Sequence, residues 1–345
     1  MSKDTMTQAT MTSPGVIRFD EVTIPKLGAD QVLIRIKRIG ICGSDIHVWH
    51  GRHPYTKYPV VQGHEVSGEI TEIGTDVRGL KVGDRVTIRP QVVCGECYPC
   101  RTGRYHICDD LKVMGFQTTG TASEYFAVDA SKALKLPDAM DFNFGAMVEP
   151  VAVAIHAIGR FGSVDGKKVL VMGAGPIGNL VAQTAKALGA SKTMITDISD
   201  FRLALADGCG VDSCVNTAKT DFMESLTESF GPDRADVIFE CVGVNDTIDK
   251  AVAGARKGTD IIVVGVFGEK PKVDLGIVQD RELRLIGTLM YKEEDFTKAI
   301  ELIDGGSVNL EPLITDHFAF EDYSEAYRFI EDRGDKTMKV ILDVG

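Results

Sequence analysis

The sequence has no apolar run near the ~18 residues a membrane-spanning helix needs, which excludes a membrane span. Its first twelve residues, Met1 to Thr12, are polar and lack an apolar core. They are expected to form a loose tail, not a secretory signal. There is no Lys/Arg run longer than two, and 38 basic residues face 50 acidic ones, a net charge of −12. Such a chain is a poor partner for a phosphate backbone, so a nucleic-acid role is not expected. No internal repeat and no low-complexity segment is present, and the 36 glycines follow no collagen period. Hydrophobic residues at 44% and charged residues at 26% are ordinary globular values and exclude a disordered chain. At 345 residues, two or three domains are expected.

Two textures alternate along the chain. The first third reads as β-rich: Gln31 to Lys37 alternates apolar and polar, Val66 to Ile73 does so more loosely, and Val82 to Ile88 looks like a turn feeding a strand. The middle reads as strand–helix alternation. Its strands are Lys168 to Met172, Thr193 to Asp197, Asp236 to Glu240 and Asp260 to Gly265, with a helix from Asn179 to Leu188, which argues for a parallel sheet. Helical spacing returns at Asp295 to Ile303 and Tyr323 to Ile330, and Lys339 to Leu342 closes the chain as a strand. The β-rich start and the end are expected to share one domain, residues 1–149 with 291–345, around an α/β insert of residues 150–290.

The insert carries Gly173-x-Gly175-x-x-Gly178 between a strand and a helix, with Asp197 nineteen residues beyond. The first glycine permits a tight turn, the second lets a pyrophosphate approach the backbone, and the third lets helix and strand pack closely. With Pro176 and Ile177 these residues open a helix whose N-terminus favours phosphate. Asp197 can accept both ribose hydroxyls and would repel a 2′-phosphate, which favours NAD over NADP. Arg202 falls near the adenine ribose on this reading. Further cofactor contacts are placed at Val242, Gly265 and Val266.

Of eight cysteines, four crowd together as Cys94-x2-Cys97-x2-Cys100-x7-Cys108. A reducing, cytoplasmic setting disfavours a disulfide pair, and the spacing departs from that of bacterial iron–sulfur ferredoxins. Four thiolates suit a closed structural zinc site with no open position for chemistry. A second set is scattered: Cys42-Gly43-Ser44-Asp45-Ile46-His47, then Gly63-His64-Glu65, then Glu149-Pro150. Together they offer Cys, His and carboxylate, the mixed donors of an open, catalytic zinc.

The segment from Gly63-His64-Glu65 through Gly68 and Gly74 to Gly83-Asp84-Arg85-Val86 resembles the zinc signature of the medium-chain alcohol dehydrogenases. The CGSD segment, the four-cysteine lobe of residues 94–108, Glu149-Pro150 and the GAGPIG turn fall in that family's order. The match is nearer the polyol, threonine and butanediol dehydrogenase branch than the liver-type enzymes. The resemblance implies an α/β protein: a β-rich GroES-like catalytic domain and a Rossmann domain with a doubly wound parallel sheet. It implies two zinc ions and NAD, a small hydroxylated substrate, and a cytoplasmic homo-oligomer, tetramer or dimer. A candidate interface lies near residues 260–267 or 285–289.

On the same ground, catalysis falls to Cys42 and His64 as zinc ligands, with Glu65 and Glu149 sharing the remaining place. Ser44 and His47 would relay the proton, and Asp45 would orient the loop. The implied reaction is reversible hydride transfer between a secondary alcohol and the nicotinamide. Sorbitol dehydrogenases keep an Arg-Tyr pair where this chain reads Met290-Tyr291, so the substrate need not be sorbitol. Polyols, sugar acids, diols and threonine all stay open. Arg52, His53, Arg89 and Arg281 are candidates to supply the partner of a substrate carboxylate. An inactive sensor or structural relative that binds zinc and NAD is the non-enzyme alternative; its mark would be loss of the Cys42, His64 and glutamate set, and all are present.

Overall fold

A computed structural model describes residues 4–345. The chain divides into two compact units, residues up to Glu149 together with Ile314–Gly345, and Pro150–Leu313.

The first unit is built on a mostly antiparallel sheet of seven strands. Its central strand Gln31–Gly40 pairs with Glu65–Ile73, with Tyr125–Asp129 and with the closing strand Lys339–Asp343. That last pairing, Ile341 opposite Gly40, stitches the chain's end to its beginning. Val32, Ile34, Ile36 and Ile39 are buried here with Val66, Ile70, Val340 and Leu342. Their apolar β-branched and leucine side chains are what make these segments strands.

The expected loose tail is instead a strand, Thr5–Ser13, paired antiparallel with Val16–Thr23. Residues 1–3 lie outside the described residues. Met6, Ala9 and Met11 are buried, while Thr7, Thr10 and Thr12 are partly exposed. The segment docks by backbone bonds, Ala9 N–H to Ala122 carbonyl at 2.9 Å and Met11 N–H to Val60 carbonyl at 2.8 Å. With only Met6, Ala9 and Met11 buried, the segment carries little apolar signal of a strand that a hairpin and distant backbone groups hold in place.

The second unit is a six-stranded parallel sheet in the order Ser213–Asn216, Lys192–Asp197, Lys168–Met172, Val237–Glu240, Asp260–Val263, Arg284–Gly287. The strand that comes first in sequence, Lys168–Met172, lies inside the sheet and succession reverses beside it, the doubly wound arrangement whose ligands bind at the carboxyl ends of the strands. Val169, Leu170 and Val171 are fully buried, as a strand covered on both faces requires. The fingerprint helix begins at Pro176, three residues before the expected start. Proline's missing N–H and fixed φ suit a first helical position.

The return to the first unit comes at Ile314, not at residue 291 as expected. Helix Glu293–Asp304 stays with the Rossmann sheet because Asp295 Oδ2 meets His156 Nδ1 at 2.8 Å. Asn309 and Gln183 then exchange two hydrogen bonds, at 2.7 and 3.1 Å. Burial of Phe296, Ala299, Leu302 and Ile303 and these polar ties, between residues more than a hundred positions apart, keep the segment in the second unit, and no local pattern records the ties.

Candidate metal and cofactor sites

Cys42 caps the short helix Gly43–Trp49, and His64-Glu65 opens the strand Glu65–Ile73. The two elements bring Cys42 Sγ, a His64 ring nitrogen and a Glu65 carboxylate oxygen within 4.8 Å of one another. Glu149 is outside that cluster, on helix Val148–Phe161, yet its charge acts on His64. Ser44 and His47 sit three residues apart on the helix, Ser44 half-buried and His47 exposed.

The imidazole of His64 is buried, and its Nδ1 lies 3.6 Å from Asp45 Oδ1 without a hydrogen bond. A buried ring nitrogen left unpaired costs about 1–3 kcal/mol. A metal on the other ring nitrogen would fix the proton at Nδ1 and draw it to Asp45, the carboxylate–histidine–metal arrangement. Burial opposes charge on His64, but Asp45, Cys42 and Glu149 together outweigh it and raise its pKa well above the ordinary value. Donors and surroundings therefore fit a cation with an open position.

Three residues stand behind this cluster: Asp45, expected to orient the loop, and Gln62 and Lys339, which were not singled out from sequence. Asp45, fully buried, accepts from the Cys42 N–H at 2.9 Å and from Gln62 Nε2 at 3.2 Å. Gln62 in turn accepts from the Tyr327 hydroxyl at 2.8 Å, whose ring is stacked between Trp49 and Tyr323. Lys339 is the third. Its Nζ lies 2.7 and 2.5 Å from the two Glu65 oxygens, both residues being almost wholly buried. Burial alone would discharge Lys339, but Glu65, Cys42 and Glu149 hold its pKa above the ordinary value. Stranding one partner of such a buried pair costs about 3–5 kcal/mol. A Cβ at Gly40 would come within 2.3 Å of Glu65 Oε2, so glycine is required beside the pair. A lysine heading the apolar run Val340-Ile341-Leu342 was the one signal in the sequence that a buried partner awaited it.

The four-cysteine loop brings its sulfurs within 4.8 Å of one another. Cys108 Sγ lies 3.5 Å from Cys94 Sγ and 3.8 Å from Cys97 Sγ. A tetrahedron with Zn–S near 2.3 Å has edges of about 3.8 Å, whereas a disulfide would need about 2.05 Å. Gly95 takes φ +77° at the turn between the first two ligands. Backbone N–H groups of Cys94, Cys97 and Asp109 point at sulfur at 3.3, 3.4 and 3.5 Å. Donation from Asp109 and Cys100 lowers the Cys97 thiol to about 7, while burial and its neighbours push Cys100 up to about 12. Cys97 is thus about half thiolate at neutral pH, while Cys100 stays protonated until a cation takes its proton's place.

In the second unit the expected cofactor residues gather at the carboxyl ends of the strands. A Cβ on Gly178 would fall 1.8 Å from the Gly173 carbonyl, so only glycine lets helix and turn pack here. Around Gly175, by contrast, an added Cβ would meet nothing closer than Arg202 Nη1 at 3.9 Å, which leaves room for a pyrophosphate. Gly173 abuts Val242, and Gly265 and Val266 abut Gly243. Val242 and Val266 are exposed, as apolar walls for a ligand must be before it binds. Asp197 accepts from Ala174, Ile198 and Ser199 N–H at 2.7, 2.8 and 2.9 Å. Of about four acceptor positions on a carboxylate, three are used in holding it at the strand end. Arg202 Nε is buried without a partner. Tyr291 is fully buried, edge-on to Phe296, and so packs this unit.

The alcohol dehydrogenase GroES-like domain matches residues 28–138, and the zinc-binding dehydrogenase domain matches residues 176–305. The chain belongs to the zinc-dependent medium-chain alcohol dehydrogenases. It is 37% identical to the 2-dehydro-3-deoxy-L-galactonate 5-dehydrogenase of Pseudoalteromonas atlantica over 91% of this chain and 92% of that one. It is 33% identical to the L-threonine 3-dehydrogenase of Pyrococcus horikoshii, over 93% of each. A zinc-binding dehydrogenase of Sinorhizobium meliloti with NADP bound superimposes with a TM-score of 0.91 at 28% identity, covering 99% of this chain and 100% of that one. An Escherichia coli alcohol dehydrogenase with NADH bound does so with a TM-score of 0.92 at 31% identity, again over 99% and 100%. This dehydrogenase is thus an oxidoreductase that uses zinc and a nicotinamide cofactor. Among its described residues no helix is long and apolar enough to cross a membrane.

Proposed function

We propose that this dehydrogenase oxidises a secondary alcohol within a polyhydroxylated compound, a polyol, sugar acid or diol, with NAD as acceptor. The observation that carries the reading is the Cys42, His64 and Glu65 cluster, carboxylate-bearing and polar. A cluster of this kind suits substrates that bring hydroxyls of their own, and buried polar groups penalise those that leave them unpaired. Zinc bound there supplies Lewis-acid polarisation of the alcohol oxygen. Cys42 and His64 would hold it, with Glu65 or Glu149 completing the set, and Asp45 would hold the His64 ring. Ser44 and His47 would carry the proton towards solvent. The four-cysteine loop would hold a second, structural zinc. A cytoplasmic homo-oligomer completes the reading. The strand Arg284–Gly287 supports it, because it ends the sheet with Leu285 exposed, an edge that invites pairing. The L-threonine 3-dehydrogenase relative supports threonine as a second substrate reading.

Screening sorbitol, L-idonate, butane-2,3-diol, threonine and ethanol with NAD, by the absorbance of the reduced cofactor, tests the proposal. Ethanol is expected to be poor. Efficient turnover of ethanol, with no gain from an adjacent hydroxyl, would overturn it.

The preference for NAD rests on Asp197, which keeps one acceptor position for a ribose hydroxyl and repels a 2′-phosphate there. Asp197→Ala is expected to weaken NAD and narrow its advantage over NADP, read as kcat/KM for each cofactor. Arg202, with its unpaired Nε, and the NADP in the Sinorhizobium structure favour the opposite assignment. A wild-type enzyme faster with NADP would establish that assignment instead.

A further inference from the structure

Four side chains stand as candidates for partnering a substrate carboxylate away from the reacting carbon, and the structure separates them. Arg281 spends its guanidinium on three backbone carbonyls, those of Val252, Ala253 and Ala255, at 3.4, 3.0 and 2.8 Å. Arg89 donates to the Ser131 carbonyl at 2.6 Å. Arg52 is exposed. His53 differs from all three. Its ring stacks on Phe116, centroids 4.8 Å apart and planes 24° from parallel. Phe116 also packs against His64, at 4.9 Å. One aromatic ring therefore spaces His53 from the imidazole of the cation cluster, all three within the first unit. The His53 backbone N–H donates to the His47 carbonyl at 3.2 Å, which ties it to the helix that carries Cys42 and Ser44.

The ring is also fixed in rotation. Its Nδ1 meets the Thr56 hydroxyl at 2.7 Å. When that hydroxyl donates, the imidazole proton sits on Nε2, since the bond at one ring nitrogen sets the tautomer of the other. Burial, with the charges of His47 and His64, holds the His53 pKa below its ordinary value, so the ring is neutral at pH 7. A neutral, half-buried N–H donor, one aromatic ring away from His64, suits an uncharged hydroxyl oxygen better than a carboxylate.

We propose that His53 is a specificity-determining residue whose Nε2–H donates to a hydroxyl on the substrate chain beyond the reacting carbon. The inference rests on the polyhydroxylated-substrate reading above and names the residue that enforces it. A substrate with a single hydroxyl cannot meet the cluster and His53 together. A chain bearing neighbouring hydroxyls can, and it gains one further hydrogen bond.

The test compares zinc-loaded wild-type, His53→Leu, His53→Gln and Thr56→Val enzymes with NAD. Their substrates are propan-2-ol and the best of sorbitol, L-idonate and butane-2,3-diol. The ratio of kcat/KM for the hydroxylated substrate to that for propan-2-ol is expected to fall about tenfold in His53→Leu, the worth of one hydrogen bond. The fall should lie chiefly in KM, with zinc content and Tm intact. His53→Gln, which restores an N–H donor, should recover much of the ratio, and Thr56→Val should lower it less than His53→Leu. An unchanged ratio in His53→Leu, or an equal loss on both substrates, overturns the assignment. If His53→Leu does not fold, Thr56→Val decides: a wild-type ratio there overturns it. If the wild-type enzyme favours propan-2-ol, the proposed function falls and His53's role falls with it.

Discussion

Cys42→Ser is expected to abolish turnover, by a thousandfold or more, and to remove one zinc per chain while leaving the fold intact. A hydroxyl is a far weaker zinc ligand than a thiolate, and the cluster holds no second thiolate to replace it. The fold is spared because Cys42 is one half-buried side chain at a helix cap, and the Cys42 backbone N–H would still find Asp45. The readouts are elemental zinc analysis, turnover with NAD and Tm, taken on one preparation. A variant that keeps both zinc ions and its activity would remove Cys42 from the site. Occupancy should also depend on pH in a definite direction. Asp45, Cys42 and Glu149 raise the His64 pKa in the metal-free protein despite its burial, so a cation must displace that proton. Zinc binding should therefore release protons at neutral pH and weaken as the pH falls.

Cys100→Ser should do the reverse. It is expected to cost the other zinc and most of the lobe's stability, seen as a large fall in Tm, with activity lost only as the protein unfolds. The free energy of binding a structural zinc is folding free energy, and apparent values for small zinc domains reach about 10–16 kcal/mol. The lobe has little else to hold it. Its helix, Tyr98–Arg101, is a single turn without a buried residue, and Cys94 is exposed. Limited proteolysis should cut between residues 94 and 108 in the variant and not in the wild type. A variant with unchanged zinc content and Tm would show that the four sulfurs hold no ion.

Chemistry confined to a short stretch was legible in the sequence. The four cysteines span fifteen residues, and so short a loop has few ways to arrange four sulfurs except around one centre. The glycine fingerprint was equally local: the 1.8 Å approach of a Cβ at Gly178 to the Gly173 carbonyl explains why that position is glycine. The apolar strands of the Rossmann sheet declared themselves because both their faces are buried.

Other features depended on residues far apart. The Thr5–Ser13 strand looked like a tail because its threonine-rich sequence carries little apolar signal, and part of its backbone pairing is with the distant Ala122 and Val60. The domain return moved to Ile314 because Asp295 and Asn309 are held by His156 and Gln183. His53 was one of four equivalent candidates until its stacking on Phe116 set it one ring away from His64.

By itself, then, the sequence determined which atoms are available for chemistry and, through short-range sterics and periodicity, the two kinds of domain that carry them. Only the tertiary structure decided which of those atoms meet. It placed Glu65 beside Cys42 and His64 but also against Lys339, 274 residues further along the chain. A charge can be buried only if its partner is buried with it, and no local pattern names that partner.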